Sequence, residues 1–256
     1  MFEPKTEREA IEFCKSAKNF IVLGKGSNTL LPPRVESVLH FGKNFEKTKI
    51  NGNIIDCQSG KSVVSLAKQA AEFGLSGLEF ACGIPASIGG AIAMNAGAFG
   101  SDFSQIIKEV TAYDCDLQKT FKISNYDCEF GYRTSIFNEK LIILSAKLEL
   151  QYKNPNDIKQ TMRQNLQKRK QTQPIDKFSL GSVFLSDKYP VAKMIDELNL
   201  KGTKIGDAEI SIKHSGFITN NGNATQKDII NLIEFIKRSV YKKYGIKLKE
   251  EIRILE

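Results

Sequence analysis

The chain has 256 residues, of which 41% are hydrophobic and 26% are charged, and its formal net charge is +8. These proportions are ordinary for a folded protein with a sizeable core, so they exclude a mainly disordered chain. No apolar run approaches the ~20 residues that a membrane span needs, and the charged N-terminus lacks the apolar stretch of a secretory signal. Five cysteines without a Cys-x-x-Cys pair, and only two histidines, argue against a disulfide framework or a zinc site and favour a reducing cytoplasm.

The positive charge is spread along the chain. The two most basic stretches, residues 153–170 and 237–249, also carry acidic residues or helical apolar spacing. There is no block of five consecutive Lys or Arg residues and no known nucleic-acid-binding motif. We interpret most of this charge as solvated surface, with local basic groups serving an anionic ligand, and we expect neither a nucleic-acid partner nor membrane insertion.

Residues 21–23 predict a short buried strand, which leads into a glycine loop, Gly24-Lys25-Gly26-Ser27-Asn28-Thr29, and then a proline pair. The proline pair prevents a helix from following the loop. The loop therefore lacks the helix of a Rossmann fingerprint, and it also lacks the third glycine. It does not match a Walker loop either. Its backbone amides could bind an anion, and an ordinary turn is the alternative.

Residues 61–73 predict a helix that ends at Gly74, with an apolar face formed by Val63, Leu66, Ala67, Ala70 and Phe73. Residues 77–100 then hold six of the chain's nineteen glycines and almost no charge. Within them, residues 83–91 are a second candidate phosphate-binding loop, and a helix of small packing residues is the alternative. Two such loops early in the chain suggest a ligand with two phosphates, such as a dinucleotide.

The second half of the chain mixes strands and helices. Residues 141–150 predict a strand, and residues 153–156 predict a turn that marks a domain boundary. Three helices are predicted after it, at residues 157–170, 190–199 and 226–244. The last has a good N-cap in Thr225 and a glycine stop at Gly245, and its apolar stripe consists of Ile229, Ile233, Ile236, Val240 and Tyr244.

Several motifs occur in the order in which one flavoenzyme family carries them. The first is VLGKGSNTL at residues 22–30, and the second is GIPASIGGAIAMNAGAFG at residues 83–100. The later matches are residues 131–135, 170–174, 181–184, 213–220, 222–225 and 245–253. Over residues 20–256 the sequence therefore resembles UDP-N-acetylenolpyruvoylglucosamine reductase, the MurB family.

This resemblance implies an α+β protein. It would have a two-lobed FAD-binding fold of the vanillyl-alcohol-oxidase (PCMH) type and a C-terminal α+β substrate-binding domain. The implied lobes are residues 1–55 and 56–150, and residues 151–256 form the substrate-binding domain with the C-terminal catalytic segment. The implied activity is reduction of UDP-N-acetylglucosamine-enolpyruvate to UDP-N-acetylmuramate for peptidoglycan, with FAD and NADPH as cofactors and no metal. We expect a cytoplasmic monomer.

The resemblance also implies site residues. The catalytic set is Arg133, Ser182 and Glu251: hydride passes from flavin N5 to C3 of the enolpyruvyl group and Ser182 protonates C2. Arg133 and Glu251 stabilise the enolic intermediate. The implied FAD-binding residues are Gly24, Lys25, Gly26, Ser27, Asn28, Thr29, Gly83, Ile84, Pro85, Ser87, Ile88, Gly89, Gly90, Asn95 and Gly97. The candidate substrate-binding residues are Tyr132, Lys170, Lys193 and His214, with Arg169 as a further phosphate partner.

The sequence departs from the family pattern after Ser182. The family usually continues Lys-Asn-Pro where this chain has Leu185-Ser186-Asp187, so we expect altered nucleotide contacts, with Lys188 as a candidate compensating cation. The short segment between Arg133 and Ser182 indicates the subclass without the inserted tyrosine-bearing loop. Two alternatives are a flavin oxidase or dehydrogenase of the same fold with another substrate, and a basic protein that binds nucleic acid.

Overall fold

The computed structural model describes residues 1–17 and 19–255. The α-helices in this part of the chain are α1 (Glu7–Ser16), α2 (Val63–Glu72), α3 (Ile88–Ala93), α4 (Pro155–Thr172), α5 (Val191–Glu197) and α6 (Gln226–Tyr244). The strands are β1 (Ile21–Leu23), β2 (Thr29–Leu30), β3 (Val38–His40), β4 (Thr48–Asn51), β5 (Ile54–Gln58), β6 (Leu75–Ser76), β7 (Gly97–Ala98), β8 (Ser101–Asp102), β9 (Ile107–Asp114), β10 (Lys119–Ser124), β11 (Leu141–Glu149), β12 (Gln151–Tyr152), β13 (Phe178–Ser182), β14 (Lys204–Ile205), β15 (Ala208–Ile210), β16 (Phe217–Asn220) and β17 (Arg253–Ile254).

These elements form two compact units. The first unit comprises residues 1–25 and 36–166, and the second comprises residues 26–35 together with the chain from residue 167 onward. The boundary falls inside α4. The predicted turn at residues 153–156 is partly wrong. Helix α4 already begins at Pro155, and a proline suits the first turn of a helix. The assignment of the three predicted segments to two lobes and a substrate domain stays a prediction.

The first unit is organised around a five-stranded antiparallel sheet in the order β10-β9-β11-β5-β4. The predicted strand at residues 141–150 is confirmed as β11. Its Ile142 and Leu144 side chains pack in one cluster with α1, whereas Ile143 and Leu148 pack in a larger cluster with α2 and α3. Side chains alternate along residues 142–144, and the register shift between Ile143 and Ser145 returns Leu148 to the side of Ile143. The two clusters therefore cover opposite faces of the sheet, which explains the unbroken apolar run at the start of β11.

Helix α2 confirms most of the predicted helix at residues 61–73. Val63, Leu66, Ala67 and Ala70 are buried, and Gly74 ends the helix with a φ of +67°. The placement of Phe73 on the buried face was wrong, since its side chain is 59% exposed. Phe73 is the C-cap, so it lies where the helix has ended and the packed core no longer covers it.

The glycine-rich segment at residues 77–100 is folded against the core. Residues 88–93 form the short helix α3, whose Ile88, Ala91 and Ile92 side chains are buried in the larger cluster. Strands β7 and β8 follow as a small hairpin. The small-residue helix considered for this segment is therefore present, but only over six residues.

The second unit is built on a four-stranded antiparallel sheet in the order β13-β16-β15-β14, and β2 pairs in parallel with β17. Helices α5 and α6 share its core. The predicted helix at residues 190–199 is shorter in the structure, Val191–Glu197, and Val191, Met194 and Ile195 on it are buried.

Helix α6 matches its predicted range, residues 226–244, at both ends. The Asp228 amide donates to Thr225 Oγ1 at 3.1 Å, and the Thr225 amide donates to the Asp228 carboxylate at 2.9 Å. Gly245 ends the helix with a φ of +69°. Each of these signals lies within a few residues along the chain, which is why the sequence alone located the helix.

Candidate functional site

The two glycine-rich loops that were predicted to bind phosphate approach each other. Gly24 follows strand β1, and a Cβ atom at Gly24 would lie 2.5 Å from Ser87 Oγ and 3.8 Å from Gly90 Cα. The Lys25 ammonium group donates to Ser62 Oγ at 2.9 Å. A Cβ atom at position 24 would force the Ser87 hydroxyl to move, so these contacts show how closely the two loops approach.

A third segment, residues 58–62, lies against the second loop, and the sequence reasoning missed it. The Gly89 amide donates to the Ser59 carbonyl at 2.8 Å, and the Ile88 amide donates to the Lys61 carbonyl at 2.8 Å. A Cβ atom at Gly89 would lie 2.8 Å from Ser59 Cβ. The available signal was the run Ser-Gly-Lys-Ser at residues 59–62, which directly follows strand β5 in the structure. We call residues 24–25, 58–62 and 87–90 the glycine cradle.

The contacts within the glycine cradle change how it can bind an anion. Residues 83–91 were predicted to bind phosphate, but five of their backbone amides donate to carbonyls of this chain: those of Ile84, Ala86, Ile88, Gly89 and Ala91. The polar residues of these three segments are Lys25, Gln58, Ser59, Lys61, Ser62 and Ser87. Side chains are therefore the better candidates for direct contact with a phosphate.

The glycine cradle fits a dinucleotide. Ser59 is only 1% exposed, and its Oγ has no hydrogen-bond partner among the described residues. A buried hydroxyl without a partner costs about 1–3 kcal/mol, so a ligand oxygen at this place would recover a hydrogen bond. The bare backbone at Gly24 and Gly89 allows close approach, and Lys25 contributes positive charge. This combination of features suits the diphosphate of a bound FAD.

Arg133 lies in a tight turn of the first unit. The turn is closed by reciprocal hydrogen bonds, from the Gly131 amide to the Thr134 carbonyl at 3.0 Å and from the Thr134 amide to the Gly131 carbonyl at 3.4 Å. Arg133 has a φ of +56°, a left-handed conformation that costs about 1–3 kcal/mol in a residue other than glycine. Its guanidinium group donates from Nη2 to the Gly97 carbonyl at 2.8 Å and lies 4.8 Å from the Tyr132 ring centre.

Two residues that were predicted to bind FAD contact this turn. Asn95 donates from Nδ2 to the Gly131 carbonyl at 2.9 Å, and Gly97 accepts the hydrogen bond from Arg133 through its carbonyl. A Cβ atom at Gly97 would lie 2.6 Å from the Ser101 carbonyl oxygen, so this position also requires glycine. Contact of Asn95 and Gly97 with FAD stays a prediction.

Ser182 ends strand β13 at an irregularity in the sheet. The register of β13 against β16 shifts between Ser179 and Ser182, and Gly181 between them has a φ of +80°. Such a bulge re-aims the side chain that follows it, because the strand no longer alternates regularly. The Ser182 hydroxyl donates to the Phe184 carbonyl at 3.3 Å, a long bond that leaves the hydroxyl loosely held.

Glu251 lies on the C-terminal segment that pairs with the chain after Ser182. The Glu251 amide donates to the Val183 carbonyl at 2.8 Å, and the Leu185 amide donates to the Lys249 carbonyl at 2.9 Å. The backbone therefore places Ser182 and Glu251 on two adjacent segments of the second unit. Both are partly buried.

Asn28 braces the same segment. Its Nδ2 atom donates to the Glu251 carbonyl at 3.2 Å, and its carbonyl accepts a hydrogen bond from the Arg253 amide at 2.9 Å. Asn28 was predicted to bind FAD, and the structure adds this bracing contact. Glu250, the neighbour of Glu251, instead lies 3.0 Å from the Lys237 ammonium group on α6.

The candidate substrate-binding residues of the second unit have different surroundings. Lys170 is exposed near the end of α4, and its carbonyl accepts a hydrogen bond from Lys213. Lys193 is 74% exposed and lies 3.8 Å from Glu197, one turn along α5. His214 is partly buried, accepts a hydrogen bond from the Gly216 amide at 3.2 Å and packs edge-on against a phenylalanine. Burial lowers the pKa of His214, so its neutral form is favoured.

The structure brings together the two glycine loops, and it places Ser182 beside the Glu251 segment. Arg133 and Tyr132 belong to the first unit, whereas Ser182, Glu251 and the other candidate substrate-binding residues belong to the second. Leu185 is partly buried, and Ser186, Asp187 and Lys188 are exposed. A shared cavity for the catalytic set, and the compensating role of Lys188, stay predictions.

Residues 1–17 and 19–255 lack two other kinds of feature. None of the helices described there is long and apolar enough to cross a membrane. Among the same residues, no three His, Cys, Asp or Glu side chains are grouped so that they could hold a metal ion.

Comparisons with protein families match both parts of the chain. Residues 1–116 match a family described as FAD binding domain. Residues 173–255 match a family described as UDP-N-acetylenolpyruvoylglucosamine reductase, C-terminal domain. The first match contains all three segments of the glycine cradle, and the second contains Ser182 and Glu251.

Similar whole proteins carry the same description. The UDP-N-acetylenolpyruvoylglucosamine reductase of Pseudothermotoga lettingae is 41% identical over 236 residues, which cover 91% of this chain and 82% of that protein. The one of Clostridioides difficile is 39% identical over 263 residues, which cover 100% of this chain and 86% of that protein. The crystal structure of the reductase from Thermus caldophilus superposes with a TM-score of 0.87 at 30% identity, covering 99% of this chain and 91% of that one.

Proposed function

The chain belongs to the UDP-N-acetylenolpyruvoylglucosamine reductase family, and from this premise we propose how its own residues carry out the reaction. It is a flavoprotein oxidoreductase with a PCMH-like FAD-binding domain and a reductase C-terminal domain. It reduces the enolpyruvyl group of UDP-N-acetylglucosamine-enolpyruvate in the synthesis of peptidoglycan precursors. The observation that carries this function is the similarity over nearly the whole length of the chain.

We propose that the glycine cradle holds the FAD diphosphate. Lys25 would neutralise phosphate charge, and the Ser59 hydroxyl, which has no partner among the described residues, would gain one. The bare backbone at Gly24 and Gly89 would let the diphosphate approach closely. When bound, the flavin supplies the hydride that reduces the enolpyruvyl group, and NADPH is the proposed electron donor.

Arg133 is the proposed electrostatic catalyst. Its guanidinium group is a fixed positive charge with several N–H donors, so it can polarise the substrate carboxylate as negative charge develops there. The hydrogen bond to the Gly97 carbonyl and the contact with the Tyr132 ring orient it before substrate arrives. Preorganised charge of this kind is worth about 3–4 kcal/mol in a transition state.

Ser182 is the proposed proton donor to C2, with Glu251 assisting. The long bond from Ser182 to the Phe184 carbonyl leaves the hydroxyl able to rotate toward a substrate carbon. A serine hydroxyl is a weak acid, so its proton transfer depends on nearby positive charge and on Glu251 as a hydrogen-bond partner. We also propose Lys170, Lys193 and His214 as contacts of the sugar nucleotide.

Half-reaction kinetics test these roles. In Ser182→Ala we expect flavin reduction by NADPH to stay within about twofold of the wild-type rate. Oxidation of the reduced enzyme by the enolpyruvyl substrate should slow by about 10²–10⁴-fold, the usual contribution of a positioned proton donor. Ser179→Ala, on the same strand, is the matched control. Equal slowing of both half-reactions in Ser182→Ala would contradict the role of Ser182.

The cofactor gives a simpler test. The purified protein should be yellow, with the visible absorption of oxidised flavin, and Lys25→Ala should lower its affinity for FAD. A colourless preparation that takes up no added FAD would contradict the whole proposal. Bound FAD without oxidation by the enolpyruvyl substrate would instead indicate an oxidase or dehydrogenase of the same fold. A cytoplasmic monomer is part of the proposal, and the mass in solution tests the oligomeric state.

A further inference from the structure

We propose that Asn95 is a positioning residue that holds Arg133 in its working conformation. Residues 131–135, here called the arginine turn, carry the guanidinium group, and Asn95 fastens this turn to the segment that follows α3. The inference rests on the role of Arg133 proposed above. It concerns a residue that the sequence had suggested only as an FAD contact.

Three hydrogen bonds fasten the arginine turn to residues 93–97. They run from Asn95 Nδ2 to the Gly131 carbonyl at 2.9 Å, from Arg133 Nη2 to the Gly97 carbonyl at 2.8 Å, and from Ser135 Oγ to the Ala93 carbonyl at 2.8 Å. The bond from Asn95 joins the base of the turn, where the Gly131 and Thr134 backbones pair. It therefore sets the origin from which the Arg133 side chain extends.

Asn95 is itself rigidly held. It is only 2% exposed, and its Oδ1 atom accepts a hydrogen bond from the Ser104 amide at 2.9 Å while Nδ2 bonds to the turn. Its φ of +39° is left-handed, a conformation that asparagine adopts more readily than most residues. A single buried amide thus connects the arginine turn to the start of the short 3-10 helix that contains Ser104.

The conformation of Arg133 explains why this fastening matters. A left-handed φ of +56° is unfavourable for arginine, so the turn keeps it only while neighbouring contacts hold it there. Without the bond from Asn95, the turn can relax and carry the guanidinium group away from its oriented position. Displacement by about 1 Å is enough to slow an enzymatic step by about 100-fold.

Two substitutions at Asn95 separate its contacts. Asn95→Gly suits a left-handed φ and removes both hydrogen bonds, whereas Asn95→Asp keeps an acceptor for the Ser104 amide and removes the donor to Gly131. In both variants we expect kcat for oxidation of the reduced enzyme to fall by about 10–100-fold. The KM for the enolpyruvyl substrate, the rate of flavin reduction and the affinity for FAD should change less than about twofold, because Arg133 acts mainly in the transition state. Asn53→Ala, which removes an amide bond to the Leu150 carbonyl, is the matched control.

A double variant tells positioning from a general loss of structure. Arg133→Ala should slow the same step by about 10²–10³-fold, and adding Asn95→Gly should slow it no further, because the residue that Asn95 positions is already gone. Amide hydrogen exchange of the FAD-loaded protein is an independent measurement. Residues 131–135 should exchange faster in Asn95→Gly than in wild type and at the wild-type rate in Asn53→Ala.

The outcomes separate this inference from the proposed function. If Arg133→Ala keeps the wild-type rate, the role of Arg133 fails and the inference falls with it. If Arg133→Ala is slow but both Asn95 variants are fast, only the positioning role of Asn95 is overturned. Full additivity in the double variant, or loss of FAD affinity with unchanged exchange in the arginine turn, would also overturn it. The second result would make Asn95 a cofactor contact.

Discussion

Gly89 offers a quantitative test of the glycine cradle. It lies in α3 beside Gly90, and neither glycine has a positive φ, so alanine fits the backbone of both. A Cβ atom at Gly89 would lie 2.8 Å from Ser59 Cβ, whereas one at Gly90 would meet only Ser87 Oγ at 3.5 Å. Gly90→Ala is therefore a matched control for Gly89→Ala in the same helix.

The expected effects follow from helix propensity and packing. Each alanine should stabilise the helix by about 0.5–1 kcal/mol relative to glycine. Carbon atoms pack at about 3.5–4.0 Å, so Gly89→Ala must displace the Ser59 backbone by close to 1 Å, and overpacking of this kind costs about 1–3 kcal/mol. The free energy of unfolding should therefore be about 1–3 kcal/mol lower in Gly89→Ala than in Gly90→Ala.

Urea unfolding of the FAD-free proteins measures this difference, because a change in midpoint at constant slope reports stability alone. Ser59→Gly removes the colliding Cβ atom, so it should recover about 1 kcal/mol or more when added to Gly89→Ala. Gly89→Ala should also bind FAD more weakly, since the shift of Ser59 distorts the cradle. Equal stability of Gly89→Ala and Gly90→Ala, without coupling to Ser59, would refute the close contact on which this reasoning depends.

Two further predictions concern the second unit. Thr225→Ala removes the N-cap of α6 and should lower the free energy of unfolding by about 1 kcal/mol. Thr225→Ser keeps a capping hydroxyl and should retain most of the wild-type stability. A wild-type urea midpoint in Thr225→Ala would contradict the capping box. Burial, aided by the charge of Lys201, holds the pKa of His214 below its ordinary 6.5. Its contribution to stability is therefore complete above pH 6.5 and is lost as the pH falls through the lowered pKa, because the unfolded chain takes up the proton first. Urea unfolding measured from pH 7.5 to 5 should show that the stability difference between wild type and His214→Gln shrinks on acidification. A constant difference would count against a lowered pKa of His214 in the folded protein.

Part of the fold was predictable because its signals are local. The N-cap at Thr225 and the stop at Gly245 lie next to the apolar stripe of α6, and the structure gives that helix its predicted bounds. The apolar run at residues 141–144 likewise helped to predict β11, since the part of a strand that is covered on both faces needs apolar residues at successive positions. Phe73 shows the limit of this reasoning: its spacing matches the buried face of α2, but its exposure depends on where the surrounding core ends.

The candidate site was predictable as a set of residue types and not as a set of contacts. The two glycine loops stood out because glycine and small residues are concentrated there. The contact of Ser59 with the second loop was not visible in the sequence, because it depends on the distance to Gly89, thirty positions away along the chain. Asn95 was taken for a cofactor contact because it lies in the second loop motif, and only the structure shows its hydrogen bond to the base of the arginine turn.

The amino-acid sequence by itself determined the local elements with their caps and the order of motifs that marks the reductase family. Both depend on residues that are near one another in the chain or on identity at successive positions. The tertiary structure decided which segments meet at the glycine cradle, how the bulge at Gly181 presents Ser182, and what holds Arg133 in a left-handed conformation. Those features depend on packing and hydrogen bonds between distant segments, whose geometry is set only when the chain has folded.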